Sequence, residues 1–405
     1  MNVLVILNIA LCLLLFFCYF YQFVFLFVSY KKQGRTPEAE KLARLAVLIA
    51  AKDEEKCIES LIGSLMAQDY PKERYSVFVV ADNCLDNTAS LARAAGATVY
   101  EKQGGQSGKG YALDFLLRSI EKELGKDAFD AYLVFDADNT LRENFLTEIN
   151  KTYQLGYDCV TSYRASKNYS DSWVSAGQGM CFLRDMVMLN RARMTLGSCS
   201  FVSGTGYLFS KRLLDSWGGG WPHKTLTEDC ELTMYMATGG FRSGYCETAI
   251  FYDEQPTRLL PSLKQRLRWC KGGIQVFCKY FKRLARGLFT KRAFASFDMS
   301  MCMAPAYIIS VLAVAINTVG SGIAIALGVK PLEVLIMLGV GVLIAYSALF
   351  VFGLSLTVTE WTRLDGSAFK KILYTLTFPI FMFTFVPVAL VALFKRRVRW
   401  YRVRG

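Results

Sequence analysis

The group Asp136-Ala137-Asp138 is the first whose side chains could do chemistry. It ends the apolar run Ala131 to Phe135, and residues two apart at a strand end point the same way. Both carboxylates can then face one divalent cation and the phosphates it neutralises. Standing alone such a pair is more often a solvated turn, and its place after a buried strand is what raises it. Asp82, in Asp82-Asn83-Cys84-Leu85-Asp86-Asn87-Thr88, follows another apolar run. It can accept hydrogen bonds from a uracil or ribose edge, while the same loop can equally open a capped helix. Gly104, Gly105, Gly108, Lys109 and Gly110 make a permissive loop before a helix, with a lysine able to approach phosphate or base. Its order departs from Gly-x-x-x-x-Gly-Lys-Ser/Thr, which leaves kinase or ATPase chemistry with little support.

Further along, Thr227-Glu228-Asp229 offers carboxylates suited to taking a proton from an acceptor hydroxyl, and equally a capped start to the helix through Leu232, Met234 and Met236. In Gln265-Arg266-Leu267-Arg268-Trp269, Gln265 and Trp269 lie four apart on one helical face with Arg268 beside them. That trio can clamp a diphosphate and stack on a sugar ring, or sit as a Trp and Arg at a membrane interface. His223 is the only histidine, so any Ser/His/Asp or Cys/His scheme must pass through it. It lies in the turn-like Gly220-Trp221-Pro222-His223, and a turn residue is the expectation.

These residues need a scaffold that delivers them to one place. The sequence alternates short apolar runs with helical spacing: strands over Arg44 to Ala51, Tyr75 to Ala81, Thr98 to Glu101 and Ala131 to Phe135. Helices are expected from Cys57, over Thr88 to Ala95 and over Tyr111 to Leu124. Such alternation predicts an α/β domain, a parallel sheet with helices on both faces, with ligands beyond the carboxyl ends of its strands. From Asp158 to Tyr252 the pattern is less regular, as expected of an acceptor-binding half built from loops and short strands.

Composition sets this domain in a membrane. Of 405 residues, 53% are hydrophobic and only 20% charged, and Met1 to Tyr30 holds no Asp, Glu, Lys or Arg. That stretch is long enough to cross a hydrocarbon core and lacks the basic start of a cleaved signal, so a retained anchor is expected. Three further uncharged stretches, Met299 to Val329, Val334 to Thr359 and Ile372 to Phe394, are also long enough to span. Lys31, Lys32 and Arg35 place the polar block on the cytoplasmic side of the plasma membrane by the positive-inside rule. Three more full spans would put the basic tail, Lys395 to Arg404, outside, against the same rule; Pro379 and Pro387 suggest a broken or re-entrant last stretch instead. Residues 261–298 mix Arg and Lys with Trp269, Phe277, Tyr280 and Phe281, as helices lying in the interface would. The expected division is an anchor over 1–30, a catalytic domain over 31–260, interface helices over 261–298, membrane segments over 299–394 and a tail over 395–405.

The formal net charge of +13 is concentrated beside the apolar spans, where anionic headgroups rather than nucleic acid are the expected partner. The 12 cysteines show no C-x-x-C pair and suggest neither a zinc site nor a disulfide framework.

Taken in order, Lys52-Asp53-Glu54-Glu55, Asp82, Lys109, Asp136-Ala-Asp138, Thr227-Glu-Asp229 and Gln265-x-x-Arg268-Trp269 resemble the family 2 glycosyltransferases. The resemblance covers about Arg44 to Gly272 and is strongest to the membrane-bound branch of cellulose, chitin, hyaluronan and bacterial poly-N-acetylglucosamine synthases. It implies a GT-A fold, an inverting mechanism, a UDP-sugar donor and Mg²⁺ or Mn²⁺. It also implies Asp82 at uracil, Asp53, Glu54, Lys109 and Asp136 at the nucleotide, and Asp138 with Asp136 at the metal. Gln265 and Arg268 would hold the diphosphate, Asp229 would be the base, and Gly204, Thr205, Glu228 and Trp269 would meet the acceptor. Asp53 stands where the family more often has Asn, and the spans are fewer than in synthases that export their polymer, which leaves translocation open. The resulting expectation is an enzyme extending a β-linked glycan at the membrane. Transfer of a single sugar to a membrane lipid and a non-catalytic nucleotide-sugar receptor remain as alternatives, and oligomeric state stays open.

Overall fold

In the computed structural model, which describes residues 2–30, 36–303, 305–395 and 398, eight strands form one sheet in the order β3-β2-β1-β4-β7-β6-β8-β5. The strands are β1 (Leu45–Ala51), β2 (Tyr75–Asp82), β3 (Thr98–Lys102), β4 (Ala131–Asp136), β5 (Thr140–Leu141), β6 (Cys159–Ser166), β7 (Tyr207–Ser210) and β8 (Ser243–Asp253). The first four are parallel, as expected. The sheet as a whole is mixed, because β7 runs antiparallel between β4 and β6, and β5 antiparallel to β8. The loop-built second half expected from the sequence is likewise corrected, since β6 and the 11-residue β8 pair along their length. A register shift between Ser162 and Tyr163 breaks the period-2 signal that would have marked them.

Helix α1 (Asn2–Ser29) precedes the sheet. Strand alternation sends Leu45, Val47 and Ile49 to one face, against α2 (Ile58–Met66), α3 (Thr88–Ala94) and α5 (Phe145–Tyr153). Ala46 and Leu48 go to the other, against α4 (Lys109–Leu124). α6 (Trp173–Leu183) passes through a π-helical stretch, Arg184–Asn190, into α7 (Arg191–Thr195). α8 (Lys211–Asp215) and α9 (Glu228–Gly239) follow. Strand order reverses about β1, so the carboxyl ends of β1, β2 and β4 frame the crevice in which an open α/β sheet binds ligands.

The basic segment over 261–298 is helical: a 29-residue helix, α10 (Leu259–Gly287), is followed by α11 (Ala293–Met303). Among the described residues, four helical segments are long and apolar enough to cross a membrane: Val3–Ser29, α12 (Pro305–Ala326), α13 (Pro331–Thr359), and Ala368–Phe394. The last is broken at Thr384 into α14 (Ala368–Phe383) and α15 (Phe385–Phe394), with Pro379 inside α14. Arg266 of α10 plugs this break: its guanidinium lies 4.3 Å and 4.6 Å from the Phe381 and Phe385 ring centroids and donates to Thr384 Oγ1 at 2.6 Å. The basic residues Lys31, Lys32, Arg35, Arg396, Arg397, Arg399, Arg402 and Arg404, on which the expected orientation and most of the expected tail rest, lie outside the described residues.

Candidate active site

The strand ends and helix starts converge on a cavity of about 1900 Å³ that continues between α1, α12, α13 and the α14–α15 pair. Lys52, Glu54, Asp82, Lys109, Asp136, Asp138, Gly204, Glu228, Asp229, Gln265, Arg268 and Trp269 all line it. Asp53 and Thr205 do not, and their contacts say why. Asp53, at φ +57°, turns its carboxylate to the Leu85 amide at 2.7 Å and braces the loop after β2. Thr205 is buried, and its hydroxyl accepts from the Asp136 amide at 2.9 Å while donating to Asn139. Both hold the site from behind its wall, where contact with donor or acceptor had been expected.

At the edge of the cavity, Asp82 ends β2 and receives Lys102 Nζ at 2.6 Å and Ser107 Oγ at 3.2 Å. Lys102 also donates to the Gln106 carbonyl at 2.9 Å, which fastens the glycine loop over Asp82. Lys109, first residue of α4, contacts Asp136 and donates to the Gly204 carbonyl at 2.7 Å. Burial alone would lower its pKa, but Asp136, Glu228 and Asp229 raise it on balance, so it stays a cation among three carboxylates.

Burial, then the charges of Asp253 and Asp136, push the Asp138 carboxyl well above the usual range. Asp253, at the end of β8, is itself pinned by Arg164 at 2.5 Å and by Asn139 at 2.7 Å. A desolvated carboxylate facing two others is the charge imbalance a divalent cation relieves, so the donor set fits a hard metal between Asp136 and Asp138. No sequence pattern marks Asp253, Asn139, Arg164 or Lys102. Asp253, like Asp136, ends a strand, but the register shift in the β6–β8 pairing hides the period-2 signal of β8.

Across the cavity, Glu228 and Asp229 open α9 behind Thr227, where a helix N-terminus favours negative charge. Burial and then the charge of Asp229 push Glu228 up to about 7, against the pull of Lys109. Burial raises Asp229 as well, while the Cys230 amide, Lys109 and Arg268 favour its ionised form. Gly204, at φ +83°, comes so close that a Cβ there would lie 3.4 Å from Asp229 Oδ2. Gly272 lets α10 approach the same corner, since a Cβ would meet Thr227 at 2.5 Å. Along α10, Arg268 donates to the Leu226 carbonyl at 3.2 Å, and Trp269 packs edge-on to Phe182 with centroids 5.6 Å apart. His223 is buried among Trp217, Trp221 and Tyr235, with Glu231 3.5 Å from Nδ1. It lies, as expected, in the irregular stretch between α8 and α9, and it does not line the cavity but fills the core behind α9.

Residues 43–272, more than half of the chain, match the model of the glycosyltransferase like family 2. The chain belongs to glycosyltransferase family 2. This glycosyltransferase is 27% identical over 277 residues to a β-monoglucosyldiacylglycerol synthase of Nostoc sp. (strain PCC 7120), covering 67% of this chain and 57% of the relative. It is 21% identical over 251 residues to the poly-β-1,6-N-acetyl-D-glucosamine synthase of Staphylococcus epidermidis, covering 60% of this chain and 58% of the relative. The chain thus spans less than two thirds of either relative's length. Among solved structures, the mannosyltransferase PcManGT of Pyrobaculum calidifontis, in complex with GDP-Man and Mn²⁺, aligns with a TM-score of 0.64. That alignment has 16% identity and covers 96% of this chain and 100% of the other. At that identity the likeness speaks for the fold, a GT-A-like mixed sheet with helices, and it extends over the apolar helices as well.

Proposed function

We propose that this family 2 glycosyltransferase transfers a sugar, with inversion, from a UDP-sugar to a growing β-linked glycan at the cytoplasmic face of the plasma membrane. The observation that carries the reading is that Asp136, Asp138 and Lys109 face Asp229 and Glu228 across one cavity. In this reading Asp229 takes the acceptor hydroxyl proton as the oxygen bonds to the anomeric carbon and the bond from that carbon to UDP breaks. Gln265 and Arg268 receive the leaving diphosphate, and Asp82 with Lys102 orients the base. Mg²⁺ or Mn²⁺ held by Asp136 and Asp138 would supply charge neutralisation at the diphosphate.

A second reading, addition of a single sugar to a membrane lipid, is favoured by the wall of the cavity beyond Trp269. There its lining includes Leu15, Phe16, Phe20, Ile309, Val342 and Leu349, a set of side chains suited to alkyl chains. The relatives divide in the same way, one named for a glycolipid and one for a glycan polymer. The test is product analysis of the purified protein in lipid nanodiscs with Mn²⁺ and each common UDP-sugar. A ladder of oligomers supports glycan extension, and a single glycolipid replaces it with the second reading. UDP binding without turnover on any donor would sink both in favour of a receptor.

A further inference from the structure

Gln265 can help to hold a diphosphate only if its amide nitrogen, and not its carbonyl oxygen, faces the cavity, because an oxygen there would repel the phosphates. The side chain that settles this is Gln178, in the middle of α6 and 1% exposed. Its Nε2 donates to Gln265 Oε1 at 2.7 Å and to Gln255 Oε1 at 3.0 Å, using both of its protons. Its Oε1 accepts from Ser262 Oγ at 2.9 Å, which fixes the orientation of the amide. With its oxygen engaged, Gln265 is left with its NH₂ as the group to present.

The chain continues from Gln255. Its Nε2 donates to Asp253 Oδ2 at 2.5 Å, and Asn139 Nδ2 bridges Asp253 Oδ1 at 2.7 Å and Asp138 Oδ1 at 3.2 Å. Asn139, Asp253, Gln255, Gln178 and Ser262 are all buried, so water does not compete for these bonds. Each amide in the chain has its polarity set by the next, starting from the carboxylate of Asp253, which can only accept.

We propose that Gln178 is a positioning residue that fixes the amide polarity of Gln265 from the carboxylate cluster at Asp138 and Asp253, so that an NH₂ group meets the donor's diphosphate. The inference rests on the proposed donor reading and adds to it a residue that touches neither substrate nor metal.

Gln178→Glu tests it, because a carboxylate of the same shape accepts where the amide donates. Gln265 must then turn its NH₂ toward position 178 and its oxygen toward the diphosphate. Calorimetry of the full chain in nanodiscs should show UDP binding with Mn²⁺ weakened about tenfold or more, and binding of uridine, which has no phosphates, unchanged within twofold. Combined with Gln265→Ala, the substitution should cost no further affinity, because the group it misorients is gone. Ser262→Ala, which frees only the Gln178 oxygen, should weaken UDP binding about threefold with the same indifference to uridine, and serves if the glutamate variant does not fold. A Gln178→Glu protein that binds UDP like the wild type, or loses UDP and uridine equally, overturns the proposal. Failure of the wild type itself to bind UDP with Mn²⁺ would instead overturn the donor reading beneath it.

Discussion

The two ends of the cavity are built on opposite principles. At the donor end, charged groups from β2, β4, α4, α9 and the turn after β1 crowd together, and Asp82, Lys109 and Lys52 are each held by a hydrogen-bonding partner. At the membrane end the walls are apolar side chains of α1, α12 and α13, and the polar pair Asn8 and Asn317 satisfy each other at 2.8 and 3.0 Å. The donor end is specific because unpaired buried charge is costly, so few arrangements of a diphosphate and a cation satisfy it. The apolar walls at the membrane end distinguish ligands chiefly by length and girth, because apolar contact is non-directional. The contrast teaches that donor identity should be sensitive to single polar atoms and acceptor identity to volume.

The largest effect should come from the donor end. Asp138→Asn removes one carboxylate from the cation position, and activity with saturating Mn²⁺ should fall about 10²-fold or more. Chelation of the wild type should produce a comparable loss that added Mn²⁺ restores. A variant with wild-type metal dependence would break the contrast, because the charge crowding at Asp138 would then have no catalytic use.

At the membrane end, Ala348→Phe places a ring on the cavity wall contributed by α13. Steady-state kinetics should show the apparent KM for the membrane acceptor raised about tenfold, while UDP binding by calorimetry is unchanged. Loss of UDP affinity in this variant would show that the two ends are not separable.

The smallest effect concerns protonation. A base must be ionised, and Asp229 and Glu228 both have raised pKa values, the latter about 7. Activity should therefore fall as pH drops, beginning above the pH at which an ordinary carboxylate titrates. Lys109 draws both groups downward. In Lys109→Gln the acid limb of kcat/KM should accordingly move to higher pH, by about one unit or less. A shift to lower pH would contradict the arrangement.

The donor end was also the more legible in the sequence, for a physical reason. Asp82 and Asp136 each follow their own apolar strand, so local pattern fixes both the element and the direction in which the carboxylate emerges. The antiparallel insertion of β7 beside β4 left no such trace. Neither did Asp253, whose strand carries the register shift, nor Gln178, whose meaning depends on residues 77 and 87 positions away. Asp53 and Thr205 are implied as ligands only by the family resemblance, and contacts that only the fold creates turn their side chains away from the cavity. The apolar helices were plain from composition, whereas the chamber they enclose with the catalytic domain depends on how α10 seats on the broken α14–α15 segment through Arg266.

The most direct measurement is UDP release by Asp229→Asn beside the wild type, with UDP binding measured on both. A base that touches the reacting hydroxyl should contribute about 10² to 10⁴ in rate. The variant should therefore bind UDP within about twofold of the wild type and release UDP from its sugar at least 10²-fold more slowly. Equal release by the two proteins would contradict the assignment of Asp229, and with it the reading of this cavity as the place where the glycosidic bond is made.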